Sequence, residues 1–144
     1  MPVAAGEDEV AAARRPRRRH LHRAHGSVAE VAGGGFSHLI ADFIGVPAPQ
    51  LRDGTLLRGL LIAAAGAAGF SSMQAPVVRQ LPSDGLACLL LLDGCHISVH
   101  TFPDRQLMLL DVLALATHDA RKALDVFARR VEATEIRSET RARG

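Results

Sequence analysis

A chain of 144 residues is long enough for one domain with a sizeable core, and 48% of its residues are apolar. Because Trp and Tyr are absent and only five residues are Phe, that core must consist mainly of Leu, Val, Ile and Ala. The longest apolar run, residues 56–70, is interrupted by Arg58 and three glycines, which excludes a membrane-spanning segment. The formal net charge is only +2, although the basic residues are unevenly distributed.

The uneven distribution of basic residues arises mainly in the first 35 residues. Six arginines lie between positions 14 and 23, and the segment ends in three glycines. Such a block can bind nucleic acid through phosphate contacts, or it can be a solvated tail. No aromatic residues alternate with the arginines to stack on bases, which favours the tail. We therefore expect a disordered Arg/Gly-rich tail over residues 1–35, a folded domain over residues 36–144 and no nucleic-acid partner.

The N-terminus and the cysteines indicate the compartment. The first ten residues are acidic and lack the basic-then-apolar order of a secretory signal. We therefore expect a cytoplasmic protein with no membrane partner, in which Cys88 and Cys95 remain free thiols.

The folded part begins with three predicted elements. Residues 37–45 are compact and apolar, with glycine and prolines at their border, which favours a buried strand. Asp53 then offers an N-cap to a helix whose apolar residues recur at helical spacing and which a glycine at position 66 or 69 closes. A further strand is predicted over residues 73–81, where an internal proline favours an edge position.

The clearest turn in the chain is Asp93-Gly94, the preferred dipeptide of a two-residue hairpin. It predicts antiparallel strands over residues 86–92 and 96–102. Residues 107–115 fit a helix or a strand by periodicity alone, and the short connection before them favours another antiparallel strand.

A second amphipathic helix is predicted from Asp119, with Leu124, Phe127 and Val131 on its buried face. A last short strand is predicted over residues 134–141. This order of elements indicates an α+β fold, a two-layer sandwich in which two helices pack on one face of an antiparallel sheet.

The hairpin places the thiol of Cys95 directly after Gly94, with His96 and His100 close behind. A thiol is a better nucleophile than a hydroxyl near neutral pH, and histidine is the usual proton carrier there. The same residues fit a structural interpretation, because cysteine is often a small buried apolar residue and a histidine on a strand can simply be hydrogen-bonded. A metal site is not expected, since neighbouring strand residues such as Cys95 and His96 point to opposite faces.

Several stretches together resemble the small bacterial S-adenosylmethionine decarboxylases. They are HLIADFIG at residues 38–45, CHISVHTFPD at residues 95–104, the strand around LDV at residues 110–112 and the C-terminal helix. The resemblance extends over nearly the whole predicted domain. It implies a dimer with cleft residues donated across it. It also implies a backbone cleavage that turns the new N-terminus into a pyruvoyl group, the electron sink for a decarboxylation in spermidine synthesis.

The resemblance assigns the processing site to the hairpin. Cys95 stands at the cleaved serine, as processing nucleophile and pyruvoyl precursor, and Gly94 contributes the scissile bond in place of a glutamate. His100 matches the family's processing histidine and would serve as the proton shuttle. Two further positions depart from the family, because Ala87 replaces a second processing serine and Leu115 replaces the catalytic cysteine that delivers a proton after decarboxylation.

The resemblance also implies a substrate site. Leu81 stands where the family places an aromatic residue near adenine, Phe102 replaces a tryptophan and Asp104 replaces a glutamate. The implied ligand is S-adenosylmethionine or a smaller amino acid, because the lack of an aromatic ring at Leu81 weakens adenine stacking by about 1 kcal/mol.

Three functions stay open at this point. The chain can be an S-adenosylmethionine decarboxylase that processes itself at Gly94-Cys95 to form its pyruvoyl cofactor. It can be a pseudoenzyme or regulatory paralogue that keeps the fold, as a homodimer or paired with an active homologue, because Cys95, Ala87 and Leu115 alter separate steps of one mechanism. It can also be a decarboxylase of another amino acid.

Overall fold

A computed structural model describes residues 23–24, 35–71 and 73–144, so most of the predicted N-terminal tail lies outside the described residues. The described chain forms strands, α-helices and one 3-10 turn with these bounds: β1 (Arg23–Ala24), β2 (Phe36–Ile44), α1 (Ala48–Leu51), α2 (Gly54–Ala68), β3 (Val77–Gln80), β4 (Leu86–Leu92), β5 (Cys95–Phe102), the 3-10 turn (Pro103–Arg105), β6 (Leu107–Leu115), α3 (Ala120–Arg130) and β7 (Glu135–Arg143).

All strands belong to one sheet, in the order β1-β7-β2-β6-β5-β4-β3. β1 pairs in parallel with β7, and every other neighbouring pair is antiparallel. The helices α2 and α3 pack against each other and on one face of the sheet, α2 against β4 and β5 and α3 against β2 and β6. The predicted α+β fold with two helices on one face of an antiparallel sheet is therefore confirmed.

Both long helices begin at the predicted N-caps. The Asp53 carboxylate accepts a hydrogen bond from the backbone N–H of Leu56 at 2.9 Å, and the Asp119 carboxylate accepts one from Arg121 at 3.0 Å. These bonds satisfy N–H groups that have no partner inside a helix. At the other end of α2, Gly69 adopts the left-handed conformation with φ of 99°, which favours glycine and ends the helix.

The predicted hairpin is present, and Leu92 pairs with Cys95 across the turn. Gly94 has φ of +68°, as the Asp-Gly signal predicts. Residues 107–115 form a strand, β6, that pairs with β5 on one side and β2 on the other. The tertiary pairing thus decides the type of element that periodicity left open.

Two short segments differ from the prediction. The strand predicted over residues 73–81 extends only over Val77–Gln80, because Pro76 has no N–H to donate to the neighbouring strand. Met73 makes one isolated bridge to Leu92. The helix α1 was not predicted, since four residues are too few for a helical period to be recognised.

The face of the sheet that α2 and α3 cover, called the covered face below, carries the core. Alternation along each strand sends every second side chain to this face. Each of the following is at most 2% exposed: Leu39, Phe43, Leu90, Ile97, Val99, Met108, Leu110 and Val112. Thr101 is a buried polar residue on the same face, and its hydroxyl donates to the Leu51 carbonyl at 2.7 Å and accepts from the Leu86 N–H at 2.8 Å. It therefore ties α1 to β4 and β5.

The opposite face, called the open face below, has no helix packed on it in the described part of the chain. It mixes apolar and ionisable side chains, and Leu91 (51% exposed), Ile40 (44%) and Val77 (43%) are its most exposed large apolar residues. Its central side chains are His38, Ile40, Asp42, Leu89, Leu91, His96, Ser98, His100, Leu109, Asp111 and Leu113. None of the helices in residues 35–71 and 73–144 has both the length and the apolarity needed to span a bilayer.

Candidate functional site

The predicted scissile bond lies in the tight turn between β4 and β5, but the thiol of Cys95 points to the covered face and is only 5% exposed. The pKa of this thiol is raised because burial disfavours the charged thiolate, and the Leu115 backbone N–H, which donates to the sulfur, offsets only part of the shift. The sulfur is therefore held as a neutral thiol at neutral pH, which is the weaker nucleophile. We call Gly94, Cys95 and Leu115 the turn half-site.

His100 lies on the open face, directly opposite Ala87 in the antiparallel pair of β5 and β4. Five residues of extended strand separate it from Cys95, a distance of about 16 Å between the two backbones. The two side chains also point to opposite faces of the sheet. Within one chain the predicted processing histidine and the predicted nucleophile are therefore not brought together.

The predicted substrate residues lie at the same end of β5 as His100. Phe102 is half-buried at the last position of the strand, and Asp104 is exposed in the 3-10 turn that follows. Leu81 follows β3, where its backbone N–H donates to the Gly85 carbonyl at 2.7 Å. We call Ala87, His100 and Phe102 the histidine half-site, since the chain separates it from the turn half-site by the length of β5.

The structure shows a side-chain network on the open face that the sequence did not predict. His38 Nε2 lies 2.9 Å and 3.0 Å from the two carboxylate oxygens of Asp111. His96 Nε2 lies 3.3 Å from Asp111 Oδ1, and Arg143 Nη1 lies 3.3 Å from His38 Nδ1. We call these four residues the Asp111 network. A single acid inside the apolar run LMLLDVLAL is the one signal in the sequence that pointed to it.

Neither Cys88 nor His118 supplies a reactive group to the turn half-site. Burial raises the pKa of Cys88 to about 11, against a smaller opposing effect of the Arg58 charge. His118 follows the turn half-site residue Leu115 in the chain, but its ring stacks on Phe70 with 3.9 Å between the ring centroids. Within the described residues, no group of three or more His, Cys, Asp or Glu side chains is arranged to hold a metal ion.

Comparison with known proteins places this α+β architecture in a class of decarboxylases. A sequence model of the S-adenosylmethionine decarboxylase family matches residues 37–144. The S-adenosylmethionine decarboxylase proenzyme of Brevibacillus brevis is 33% identical over 89 residues, which is 61% of this chain and 66% of that protein. The crystal structure of the adenosylmethionine decarboxylase from Aquifex aeolicus is similar with a TM-score of 0.68 and 26% identity, covering 77% of this chain and 92% of that one.

The chain therefore belongs to the S-adenosylmethionine decarboxylase family, and the predicted family is confirmed. Members of this family carry a pyruvoyl group made from a serine. The residues of this chain do not fit the formation of that group. The thiol of Cys95, the predicted pyruvoyl precursor, is buried on the covered face, and Ala87, predicted to replace a second processing serine, has no side-chain group that can accept or deliver a proton.

Proposed function

We propose that this chain is a non-processing member of the S-adenosylmethionine decarboxylase family, which keeps the fold and a ligand site but leaves the Gly94–Cys95 bond intact. The observation that carries the proposal is the buried thiol of Cys95, whose pKa is raised and whose side chain faces the helices instead of the open face. A nucleophile in that state attacks the preceding carbonyl poorly.

The substitutions around the hairpin support the same function. Cleavage needs a nucleophile and groups that move protons, and turnover needs an acid after decarboxylation. Cys95, Ala87 and Leu115 each alter a different one of these requirements. Because the changes affect separate steps, restoring any single one would not restore the reaction.

The open face supports pairing with a second copy of the chain. An antiparallel sheet with a solvated face normally carries polar side chains there, whereas this face exposes Ile40, Val77 and Leu91. Two copies that pack their open faces about a two-fold axis would bury these apolar side chains against each other. An active homologue with the same fold is the alternative partner.

The ligand of such a protein is S-adenosylmethionine or a smaller amino acid, and its role is binding or regulation in polyamine metabolism. Phe102 keeps an aromatic ring beside His100, whereas Leu81 offers no ring for adenine. Calorimetric titration distinguishes the ligands, because the smaller amino acid is expected to bind with at least the affinity of S-adenosylmethionine. Measurable binding confined to S-adenosylmethionine would exclude the smaller ligand.

Intact-mass analysis of the purified protein after prolonged incubation tests the main proposal. We expect one uncut species of 15.3 kDa. Fragments that correspond to residues 1–94 and 95–144 would contradict it. As a matched control, the combined variant Ala87→Ser, Cys95→Ser and Leu115→Cys introduces the family's side chains at these three positions, and we expect partial cleavage of this variant at the same bond.

A self-processing decarboxylase is the second candidate, and the geometry of the turn favours it. Gly94 has φ of +68°, and apart from its two chain neighbours no heavy atom lies within 4 Å of the position that a Cβ would occupy, so there is open space beside the predicted scissile bond. A shorter fragment that begins with a keto-acyl group would establish this function. A shorter fragment that begins with a free cysteine would show cleavage by hydrolysis, without formation of the cofactor.

A further inference from the structure

The two edges of strand β7 are paired to very different extents. Its inner edge pairs with β2 along all nine residues of the strand. Its outer edge, in the described part of the chain, pairs only with the two residues of β1, where Arg23 lies opposite Arg137 and Ala24 lies opposite Ser138. Apart from those two positions, the described chain leaves the backbone groups of this outer edge open to another strand.

Charged side chains alternate in sign along β7. The register with β2 places Glu139 beside Ile40, and therefore on the open face together with Glu135, Arg137 and Arg141. We call these four charged residues of β7 the charged row. Glu135 pairs with Arg137 at 2.7 Å and Glu139 pairs with Arg141 at 2.6 Å, and all four side chains are at least 45% exposed. Ion pairs this exposed contribute little to the stability of a single chain.

The charged row is complementary to itself when two copies of β7 run antiparallel about a two-fold axis at Ser138. In this register Glu135 of one copy lies opposite Arg141 of the other. Arg137 lies opposite Glu139 in the same way. Each contact occurs twice by symmetry, so every charge of the row faces an opposite charge across the axis. Both copies keep their open faces on the same side of one continuous sheet.

The neighbouring registers bring like charges together. With the axis at Glu139, that residue faces its own copy and Arg137 faces Arg141. With the axis at Arg137, that residue faces its own copy and Glu135 faces Glu139. Like charges directly opposite each other destabilise a strand pair. The order of charges therefore favours one register and opposes the adjacent ones, which charges that only keep edge strands apart do not require.

The short strand β1 occupies the centre of the same edge. It pairs with Arg137 and Ser138, so β1 and a second copy cannot both bind β7 in this register. β1 covers two residues in parallel pairing, whereas two antiparallel copies pair over residues 135–141. Antiparallel pairing is also slightly more stable per residue. A second copy therefore has more contacts to gain at this edge than β1 has.

We propose that the outer edge of β7 is an interaction surface for a second copy of this chain, in the register centred on Ser138, and that β1 competes with that copy for the edge. This surface is separate from the open-face pairing proposed above, because the two sheets join edge to edge and both open faces stay uncovered. The position of β1 then controls assembly, since the edge accepts a second copy only when β1 leaves it.

Disulfide crosslinking of the full chain, with copper phenanthroline as the oxidant, tests the register. Directly opposite residues of an antiparallel pair have Cα atoms about 4.5–5.5 Å apart, a span that a disulfide bridges. We expect Ser138→Cys to give a covalent dimer. Thr140→Cys is the matched control, because its two copies lie about 13 Å apart along the strands. The unmodified chain is expected to stay uncrosslinked, since Cys88 and Cys95 are buried.

The direction of the Ser138 side chain distinguishes the edge from the open face. Ser138 lies beside the buried Ala41 of β2 and therefore points to the covered face. Packing of two open faces cannot bring two such side chains together. Leu91→Ala, which is expected to weaken open-face pairing, should therefore leave the crosslinking of Ser138→Cys unchanged. A loss of crosslinking in Leu91→Ala would overturn the edge surface, and a lack of open-face pairing would not affect it.

Charge reversals in the Ser138→Cys background test the charged row. Glu139→Arg sets two arginines opposite each other at both symmetric contacts, and we expect the initial rate of crosslinking to fall about tenfold or more. Adding Arg137→Glu exchanges the two charges, so we expect the rate to return to within about threefold of the starting rate. Asp125→Arg on α3 changes the net charge equally and should alter the rate by about twofold or less.

Removal of the β1 pairing tests the competition. Consecutive N–H groups of a strand point in opposite directions, so Arg23→Pro together with Ala24→Pro removes the one that faces β7. We expect Ser138→Cys to crosslink about two- to tenfold faster in this combination, the effect of one lost backbone hydrogen bond. An unchanged rate would overturn the role of β1. Equal crosslinking of Ser138→Cys and Thr140→Cys, or no recovery in the double charge reversal, would overturn the register.

Discussion

The covered and open faces of one sheet are built from the same strands and have opposite properties. On β5, Ile97 and Val99 are fully buried against the helices, whereas His96, Ser98 and His100 between and beyond them face the other way. Because alternation has a period of two, one strand contributes to the core and to the open face at once. The covered face determines the fold, and the open face is available for binding.

This division explains how side chains on the open face can change while the chain keeps the family fold. Ala87 and His100 face each other on the open side, so a substitution at position 87 leaves the helix-packed core intact. Among the predicted processing residues Cys95 is the exception, since its side chain contributes to the covered face and is buried there. A small apolar thiol fits that position better than a hydroxyl that would need a partner.

The largest contrast between the faces is expected from two neighbouring leucines of β4. Leu90 is fully buried on the covered face, and Leu91 is 51% exposed on the open face. Leu90→Ala should lower the free energy of unfolding by about 2–5 kcal/mol, because it removes packed atoms and leaves a cavity. Leu91→Ala should change it by about 0.5 kcal/mol or less. Urea unfolding at low protein concentration measures both.

Measurements at higher protein concentration add a second difference between Leu90 and Leu91. If a second copy covers the open face, Leu91→Ala should weaken self-association while leaving the diluted chain stable, which analytical ultracentrifugation detects. Equal losses of stability for Leu90→Ala and Leu91→Ala in the diluted protein would contradict the division into a covered and an open face.

A smaller contrast is expected from two hydroxyl residues of β5. Thr101 is buried and its hydroxyl bonds the Leu51 carbonyl and the Leu86 N–H, so Thr101→Val leaves two buried backbone groups without that partner. We expect a loss of about 1–3 kcal/mol in the free energy of unfolding. Ser98→Ala on the open face serves as the control, with an expected change within about 0.5 kcal/mol. A neutral Thr101→Val would show that the hydroxyl does not tie α1 to the sheet.

Local chemistry explains which parts of the fold were predictable. Asp53 and Asp119 begin helices because a short carboxylate can bond free N–H groups, and Asp93-Gly94 forms a hairpin because glycine adopts positive φ. These signals act over a few residues and are visible in the sequence. The pairing order of the strands depends on contacts between distant segments, so the sequence pattern did not determine it.

The contacts within the candidate site could not be predicted for the same reason, because they join distant segments of the chain. His38 and Asp111 are 73 residues apart, and they meet because β6 lies between β2 and β5. No spacing rule connects them. The position of Cys95 relative to His100 was accessible in principle, since an odd separation on a strand places side chains on opposite faces. The family resemblance grouped the two residues by role, and their geometry within one chain separates them.

The smallest predicted effect concerns a thiol on the covered face and its dependence on pH. Burial raises the pKa of Cys88 from 9.0 to about 11. The folded chain therefore keeps this proton at pH values at which the unfolded chain has lost it, so the stability contribution is complete below about pH 8 and declines as the pH rises from about 9 to 11. Between pH 8 and pH 10 we expect the free energy of unfolding to fall by about 1 kcal/mol more in the natural protein than in Cys88→Ala.

Urea unfolding at a series of pH values measures this difference. The two proteins are compared by the slope of the unfolding free energy against pH, so the constant effect of the smaller side chain in Cys88→Ala does not enter the comparison. The titrations of other groups are common to both proteins and cancel in the same way. Parallel slopes would mean that Cys88 ionises equally in the folded and unfolded chains, and hence that water reaches β4 from the helix side. The covered face would then not be the dry side of the sheet, and the contrast with the open face would not extend to Cys88.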